Sequence, residues 1–168
     1  MNRFALPIVA RVRRNHALEH ATIHVLAEKH RPLKVVGRST FSGYYLYGNL
    51  TTEAVIEAAQ EAVSRLRAGE HHLAIHPNCG TNLVAAGSMA GLATFAVLSN
   101  SKRRKLELLP NALLAATAAL VLARPVGPRL QAYVTTLADL GELTITGVRR
   151  EDRRNVAVHF VETGYGSP

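Results

Sequence analysis

The feature that most constrains how this chain can fold is a long central stretch without a charged residue. No Asp, Glu, Lys or Arg occurs from Leu73 to Ser101. Within it, GTNLVAAGSMAGLATFAVLS provides twenty residues, and a helix of that length crosses one bilayer at about 1.5 Å per residue. A second apolar segment provides sixteen residues from Leu108 to Ala123. The two segments predict a helical hairpin embedded in a membrane.

A different structure would produce the same composition. A buried helical hairpin in a soluble protein, or a dimer interface, is also apolar, and the second segment is short for a bilayer crossing. Both segments carry small residues at spacings that let helices pack closely in lipid: Gly87, Gly91, Ala112, Ala115, Ala116 and Ala119. We expect the membrane hairpin and keep the soluble hairpin as the alternative.

The sequence on either side of the apolar pair resembles a small soluble domain. HALEHATIHVLAEKH is helical in composition, and Pro32 ends the pattern. TTEAVIEAAQEAVSRLRAGE predicts a helix that Thr51 or Thr52 caps, with an apolar stripe at four-residue spacing: Ala54, Ala58, Ala62 and Leu66. LKVVGRSTFSGYYLYGNL predicts a hairpin or two short strands. ELTITGV and NVAVHFVE alternate like half-buried strands, and HLAIHPN is interpreted as a further short strand.

These elements define an α+β fold interrupted by an apolar, transmembrane helical hairpin. We interpret residues 1–168 as a single domain. Residues 1–79 form an N-terminal α/β part that carries the candidate metal site, and residues 80–123 form the hairpin. Residues 124–168 supply C-terminal strands that pack on the N-terminal part.

The formal net charge of +8 has several sources, of which membrane flanks are the favoured one. Aromatic residues do not alternate with the basic clusters, so we expect no nucleic-acid partner. The start, MNRFALPIVARVRR, lacks a long apolar core and predicts no signal peptide. We therefore expect a cell-membrane protein with its metal-site side in the cytoplasm, although the KRRK connection at residues 102–105 favours the opposite orientation.

One short stretch, NHALEHATIH, carries the first candidate chemistry. His16 and His20 lie four residues apart, so on a helix they share a face and can direct ring nitrogens at one point. With Glu19 they form the H-x-x-E-H order of inverted zinc peptidases, in which two histidines hold Zn²⁺ and the glutamate acts on its water. A solvated histidine-rich face is the alternative. His24 continues the stripe as a boundary histidine or an orienting partner.

A second cluster, HPNCGTN, favours the metal interpretation. His76 and Cys79 lie three residues apart around a Pro-Asn turn, and both side chains are good zinc ligands. A small buried cysteine and an ordinary interfacial histidine are the alternatives. The four candidate ligands are His16, His20, His76 and Cys79. They make a tetrahedral set for a divalent metal, most simply zinc, of which three bind at once if a catalytic position stays open.

Two functions of different classes follow from this ligand set. One is a membrane-associated, metal-dependent hydrolase of peptidase or amidase type, in which Glu19 is the catalytic base. The other is a metal-binding or assembly protein of the membrane without turnover. The lipid bilayer is the expected partner, a homo-oligomer is compatible with the pattern, and the substrate is not specified. The single cysteine excludes an intrachain disulfide framework.

The order of these motifs resembles the YqhQ-like family of bacterial membrane proteins, which is uncharacterised and described as predicted metal-dependent enzymes. The resemblance covers most of residues 15–136. The matching positions are His16, Glu19, His20, Thr22, Ile23, His76, Pro77, Cys79, Gly80, Thr81, Leu130, Gln131, Thr135 and Thr136. The resemblance implies a metal and a membrane, and it says little about a reaction.

This chain also departs from the family pattern. It is shorter, and its spacing from Gln131 to Thr135 is one residue longer. No acidic residue occurs between Leu108 and Ala123, where the family's second helix is expected to carry one. A membrane-embedded acid is therefore not predicted.

Overall fold

The computed structural model describes residues 5–99, 105–153 and 156–165, and the chain forms two compact units. Unit 1 comprises Met1–His76 and Ala132–Pro168, and unit 2 comprises Pro77–Gln131. The first four residues of the N-terminal segment and residues 102–104 of the KRRK connection lie outside the described residues. The division into one domain with three consecutive parts stays a prediction.

Unit 1 contains two long helices, α1 over Ala5–Lys29 and α2 over Thr52–Arg67. Helix α2 follows its sequence signals. The Thr51 hydroxyl accepts a hydrogen bond from the Ala54 amide, and Gly69 follows the helix with φ of +95°, where a side chain would be strained. Most of its predicted apolar stripe is buried, with Ala54 only partly so. The buried residues of the helix are Val55, Ala58, Ala59, Ala62 and Leu66.

Four antiparallel strands complete unit 1. They are β1 (Val36–Ser39), β2 (Gly43–Tyr47), β3 (Leu143–Arg153) and β4 (Val156–Tyr165). The order across the sheet is β1-β2-β4-β3, so β2 from the predicted N-terminal hairpin pairs with β4 from the C-terminal strands. The predicted α+β class is confirmed.

Helices α1 and α2 pack against each other and against the sheet. Tyr44 and Leu46 of β2 are fully buried beneath them. The Tyr44 hydroxyl lies 2.8 Å from the Thr22 hydroxyl, which in turn donates to the Leu18 carbonyl oxygen. Burial raises the pKa of Tyr44. This buried hydrogen-bonded pair fixes how α1 is rotated on the sheet, and so fixes where its histidines lie.

The segment before the HPNC turn differs from its prediction. HLAIHPN does not form a strand; His71–Ala74 form a turn of 3-10 helix, and Ile75 follows in extended conformation. The physical reason lies in its backbone carbonyl groups. Those of Ala74 and Ile75 accept hydrogen bonds from histidine side chains of α1, so they are not used in a strand ladder.

Unit 2 is built from two apolar helices, α3 over Gly80–Ser99 and α4 over Leu109–Ala123, and a short helix α5 over Val126–Leu130. Helices α3 and α4 pack against each other. By length and composition, Gly80–Ser99 and Leu106–Ala123 can each cross a membrane, with mean hydropathies of 1.5 and 1.8. Only 6% and 22% of these spans are buried, unlike the core helix of a soluble protein.

The small residues of the two apolar helices behave differently. On α4 the predicted alanine positions Ala112 and Ala119 are buried. On α3, by contrast, a methyl group added at Gly87 or Gly91 would meet no atom within 4 Å. The two glycines therefore face open space rather than α4, and the buried small residue of α3 is Ala85.

Candidate metal centre

Four imidazole rings follow one another in unit 1. Their centres are 4.4 Å apart between His16 and His20, 5.7 Å between His20 and His76, and 5.1 Å between His76 and His24. Helix α1 supplies three of the rings because residues four apart share a face. The fourth ring, His76, follows the His71–Ala74 turn, which packs on α1.

These spacings are compatible with histidines that share a metal ion, and they are also those of ordinary edge-to-face ring packing. With Zn–N bonds of about 2.0–2.1 Å and ligand angles of about 90–120°, two coordinating rings have centres roughly 4.5–5.5 Å apart. The observed spacings fall in or within a few tenths of an ångström of that range. Unit 1 thus brings together His16, His20 and His76, three of the predicted ligands; that they bind a metal stays a prediction.

Backbone carbonyl groups fix the two histidines of the H-x-x-E-H stretch. Nδ1 of His16 lies 3.0 Å from the Thr135 carbonyl oxygen, and Nδ1 of His20 lies 2.8 Å from the Ala74 carbonyl oxygen. A carbonyl oxygen only accepts, so each Nδ1 donates and carries the proton, and the ring's lone pair is on Nε2. Metal-binding histidines are oriented in this way.

His24 is held by its other nitrogen. Its Nε2 lies 2.9 Å from the Ile75 carbonyl oxygen, so Nε2 donates and the lone pair is on Nδ1. His20 and His24 together hold the carbonyl groups of two successive residues, Ala74 and Ile75, immediately before His76. The sequence marked His24 only as the end of a stripe, because a backbone acceptor leaves no residue-type signal.

His76 is neutral at physiological pH. Burial, together with smaller contributions from the nearby His20 and His24, lowers the pKa of its ring to about 4. A histidine must be deprotonated on one nitrogen to bind a metal. The surroundings of His76 therefore favour the form that a metal site requires.

A second segment is attached to α1 by an arginine. The Arg13 guanidinium donates to the carbonyl oxygens of Tyr133 and Thr136, each at 2.9 Å, and the Leu137 amide donates to the Arg13 carbonyl oxygen at 3.0 Å. Between them lies Thr135, whose carbonyl group orients His16. Sequence reasoning assigned Arg13 only to a basic cluster, whereas the structure gives it a supporting role.

Glu19 is 5% exposed and lies in the interface between α1 and the sheet. Its carboxylate is directly beside Gly37 of β1, where a Cβ atom would overlap it. Its negative charge also contributes to the raised pKa of Tyr44. The sequence did not single out Gly37, although a glycine in a short strand is a recognised sign of close approach by another group. The role of Glu19 as a base stays a prediction.

Cys79 belongs to unit 2 and directly precedes α3. Its Sγ atom accepts a hydrogen bond from the Thr81 amide at 3.4 Å and is hydrogen-bonded to the Thr81 hydroxyl at 3.5 Å. An amide donor and the N-terminus of a 20-residue helix both stabilise a thiolate, which is the form that binds zinc. That Cys79 joins the three histidines stays a prediction.

Two hydrogen-bonded side-chain amides, of which Gln131 is buried, support the turn that carries Cys79. The Asn82 side chain donates to the Pro77 carbonyl oxygen at 2.6 Å, and the fully buried Gln131 donates to the Asn82 side-chain oxygen at 2.7 Å. Gly127 lies against Asn82 and leaves no room for a Cβ atom. Two residues of the HPNCGTN and RPVGPRLQAYVTT stretches are thus joined within unit 2.

Three further histidines have other surroundings. His71 and His72 are exposed, and His159 is fully buried on β4 with its Nε2 3.2 Å from the Thr52 hydroxyl.

The comparisons with known proteins identify the family. A family model described as "Domain of unknown function (DUF6391)" matches residues 11–148. The chain belongs to this family. An uncharacterized protein of Picosynechococcus sp. (strain ATCC 27264 / PCC 7002 / PR-6) is 35% identical over 160 residues, which cover 89% of this chain and 78% of the relative. No solved structure matches. The region matched to DUF6391 includes the histidine helix, the HPNCGTN turn and both apolar helices.

Proposed function

We propose that this DUF6391 protein is a membrane-associated, metal-dependent hydrolase. Its ligands for a divalent ion, zinc in the simplest case, are His16, His20, His76 and Cys79. One observation carries the proposal: His16 and His20 both donate from Nδ1 to a backbone carbonyl group while their rings are 4.4 Å apart. An ordinary solvated histidine face needs no such fixed tautomers, whereas a metal site does.

The donor set fits the ion. Imidazole nitrogen and thiolate sulfur are the usual zinc ligands in proteins, and three of them with one open position suit catalysis. When bound, the ion supplies Lewis acidity toward water and carbonyl oxygen atoms. His16 and His20 would hold it through Nε2.

Glu19 is the proposed base. Its position in H-x-x-E-H, together with the predicted enzyme class of the similar YqhQ-like family, supports a role in which its carboxylate takes a proton from the attacking water. The same group would return that proton to the leaving amine of a peptide or amide. His76 precedes the first apolar helix by four residues, which supports a substrate that arrives from the bilayer. We propose that the proposed metal site lies on the cytoplasmic side of the membrane.

A non-catalytic metal-binding or assembly role has one observation in its favour. The carboxylate of Glu19 is buried beside Gly37, as expected of a group that holds α1 on the sheet. In that function Glu19 would stabilise the fold and no water would be activated.

Metal analysis of protein purified in detergent tests the proposal. His20→Asn is the sharpest variant, because the Asn amide nitrogen is as far from the backbone as Nδ1 and can still donate to the Ala74 carbonyl oxygen. The ligating nitrogen that it removes is Nε2. We expect stoichiometric zinc in the wild type, a loss of affinity of at least about 10–100-fold in His20→Asn, and no loss in the control His71→Asn, whose parent side chain is exposed. A wild type that neither retains nor takes up zinc would overturn the proposal.

Glu19→Gln then separates the two functions. It keeps the size of the side chain and removes the base. If the protein is a hydrolase, the variant retains its metal and loses cleavage of peptide or amide substrates. A zinc-loaded wild type that cleaves none of a broad set of such substrates would favour the non-catalytic alternative.

A further inference from the structure

We infer that His24 is a positioning residue that holds the His76 ring in place for metal binding. The inference deepens the proposed function and rests on it. It concerns a contact between a helix side chain and the backbone one residue before a proposed ligand.

Two contacts carry the inference. Nε2 of His24 donates to the Ile75 carbonyl oxygen at 2.9 Å, and the His24 ring packs edge-on against the His76 ring, with centres 5.1 Å apart and planes 62° apart. One side chain therefore fixes both the backbone at residue 75 and the ring of residue 76. With His20 on the Ala74 carbonyl group, each of the two peptide groups before His76 has its own histidine.

The local backbone explains why such a support is needed. Ile75 and His76 follow a short 3-10 turn and pair with no strand among the described residues. The Ile75 amide is hydrogen-bonded to the His72 carbonyl oxygen, and the carbonyl groups of Ala74 and Ile75 are held by histidine side chains rather than by a strand ladder. The half-buried His76 ring needs a fixed backbone to point at an ion, since an imprecise ligand loses much of its affinity.

The tautomer of His24 differs from that of His16 and His20, and it indicates a supporting role rather than metal binding through Nε2. His16 and His20 donate from Nδ1 and carry the lone pair on Nε2. His24 uses Nε2 for the backbone, and a ligand role would fall to Nδ1 alone. The two roles predict different outcomes for one conservative substitution.

His24→Gln is that substitution. The Gln amide nitrogen is as many bonds from the backbone as Nε2, so it can donate to the Ile75 carbonyl oxygen, but it offers no imidazole Nδ1. His24→Phe is the matched variant that keeps the ring and loses the donor. Co²⁺ titration in detergent, followed by the visible ligand-field spectrum, measures both affinity and coordination.

We expect His24→Gln to retain Co²⁺ affinity within about threefold and to keep the wild-type spectrum, and His24→Phe to lose about 10–100-fold with an altered spectrum. The control His72→Phe changes an exposed histidine and should change neither property. If Gln and Phe lose affinity equally, His24 is a ligand and the positioning role is wrong. If neither loses affinity, the role is also wrong.

A second measurement separates failure of this inference from failure of the proposed function. Backbone ¹⁵N relaxation of the metal-free protein reports the order of the His76 amide without any ion. We expect order parameters near 0.85 in the wild type and His24→Gln, and a clear decrease toward about 0.6 in His24→Phe. A wild type that binds no Co²⁺ but shows this pattern would overturn only the metal function. An unchanged order parameter in His24→Phe would overturn the inference itself.

Discussion

Helices α1 and α3 differ in what surrounds them. Helix α1 has 25 residues of mixed polarity and buries apolar and polar side chains alike, including Leu18 and His20. Helix α3 has 20 residues without a charge and buries only Ala85, while Leu83 and Phe95 are 75% and 69% exposed. A helix that is apolar all round is found either buried in protein or embedded in lipid. Unit 1 buries its apolar side chains within itself, and unit 2 contains the two helices that could cross a membrane.

The same contrast explains where chemistry is located. Several buried polar groups of unit 1 are hydrogen-bonded; Asn15, for example, accepts from the Thr163 hydroxyl at 2.7 Å and donates to the Thr40 carbonyl oxygen at 2.9 Å. Satisfied polar groups in a low-dielectric interior hold side chains in defined directions. The described helices α3 and α4 of unit 2 carry no charged side chain. The three proposed histidine ligands therefore lie in unit 1, and the candidate membrane spans lie in unit 2.

The largest predicted effect comes from matched leucine truncations. Leu26 of α1 is fully buried and Leu114 of α4 is 70% exposed. Leu26→Ala should lower the free energy of unfolding by about 2–5 kcal/mol because it leaves a cavity, whereas Leu114→Ala should change it by less than about 0.5 kcal/mol. Denaturant unfolding in detergent measures both. If both variants lost the same free energy of unfolding, α4 would have to pack against protein, as in a dimer, and the proposed difference between the two units would be wrong.

An arginine on the exposed face of α3 tests the lipid directly. Leu92 is 69% exposed near the middle of the helix. In a bilayer Leu92→Arg should cost about 2.5–3.5 kcal/mol of insertion free energy, and the chain should leave the membrane fraction after carbonate washing. The control Ile56→Arg changes an exposed residue of α2 and should have no such effect. Complete release of the wild type as a stable monomer in plain buffer would refute the membrane hairpin.

Substituting alanine for one glycine in each unit compares the two units by the addition of a single methyl group. Gly37 lies against the Glu19 carboxylate, whereas Gly87 has nothing within 4 Å. Gly37→Ala should destabilise unit 1 by about 1–3 kcal/mol through overpacking. Gly87→Ala should stabilise α3 by up to about 1 kcal/mol, because alanine is the better helix former. Thermal unfolding resolves the two signs; a destabilising Gly87→Ala would mean that another helix packs on that face.

Local signals explain how much of the fold could be predicted. The Thr51 cap, the apolar stripe of α2 and the uncharged run of α3 are each encoded within a few turns of chain, and the structure has both helices where they were predicted. The strand predicted for HLAIHPN was wrong. Its apolar alternation is typical of a strand, whereas its conformation depends on contacts with α1, about fifty residues away in sequence. The spacing of apolar residues predicts which side chains are buried, but it does not predict the hydrogen-bond partners of their backbone groups.

The candidate centre was predictable only in part for a related reason. Four-residue spacing placed His16 and His20 on one face of a helix, but the carbonyl groups of Ala74 and Thr135 that orient them could not be read from residue types. Every residue carries the same backbone acceptor. The contribution of Arg13 was missed because an arginine that donates to backbone carbonyl oxygens looks, in sequence, like any other surface cation.

The smallest predicted effect is a pH dependence that belongs to unit 1 alone. The pKa of His76 is lowered from 6.5 to about 4 in the folded, metal-free protein. Between these values the unfolded state binds more protons, so the free energy of unfolding should fall as the pH falls from about 6.5 toward 4. His76 is only partly buried, so solvent screening keeps the effect modest. His76→Asn should flatten the dependence over this window, measured with a chelator present.

All five tyrosines lie in unit 1, so near-ultraviolet circular dichroism follows that unit. The described residues of unit 2 contain no histidine and one carboxylate, Glu107, so its far-ultraviolet helical signal should persist across the same range. If the free energy of unfolding had the same slope against pH in the wild type and in His76→Asn, the titration of His76 would not be sensitive to the packing of the four imidazole rings.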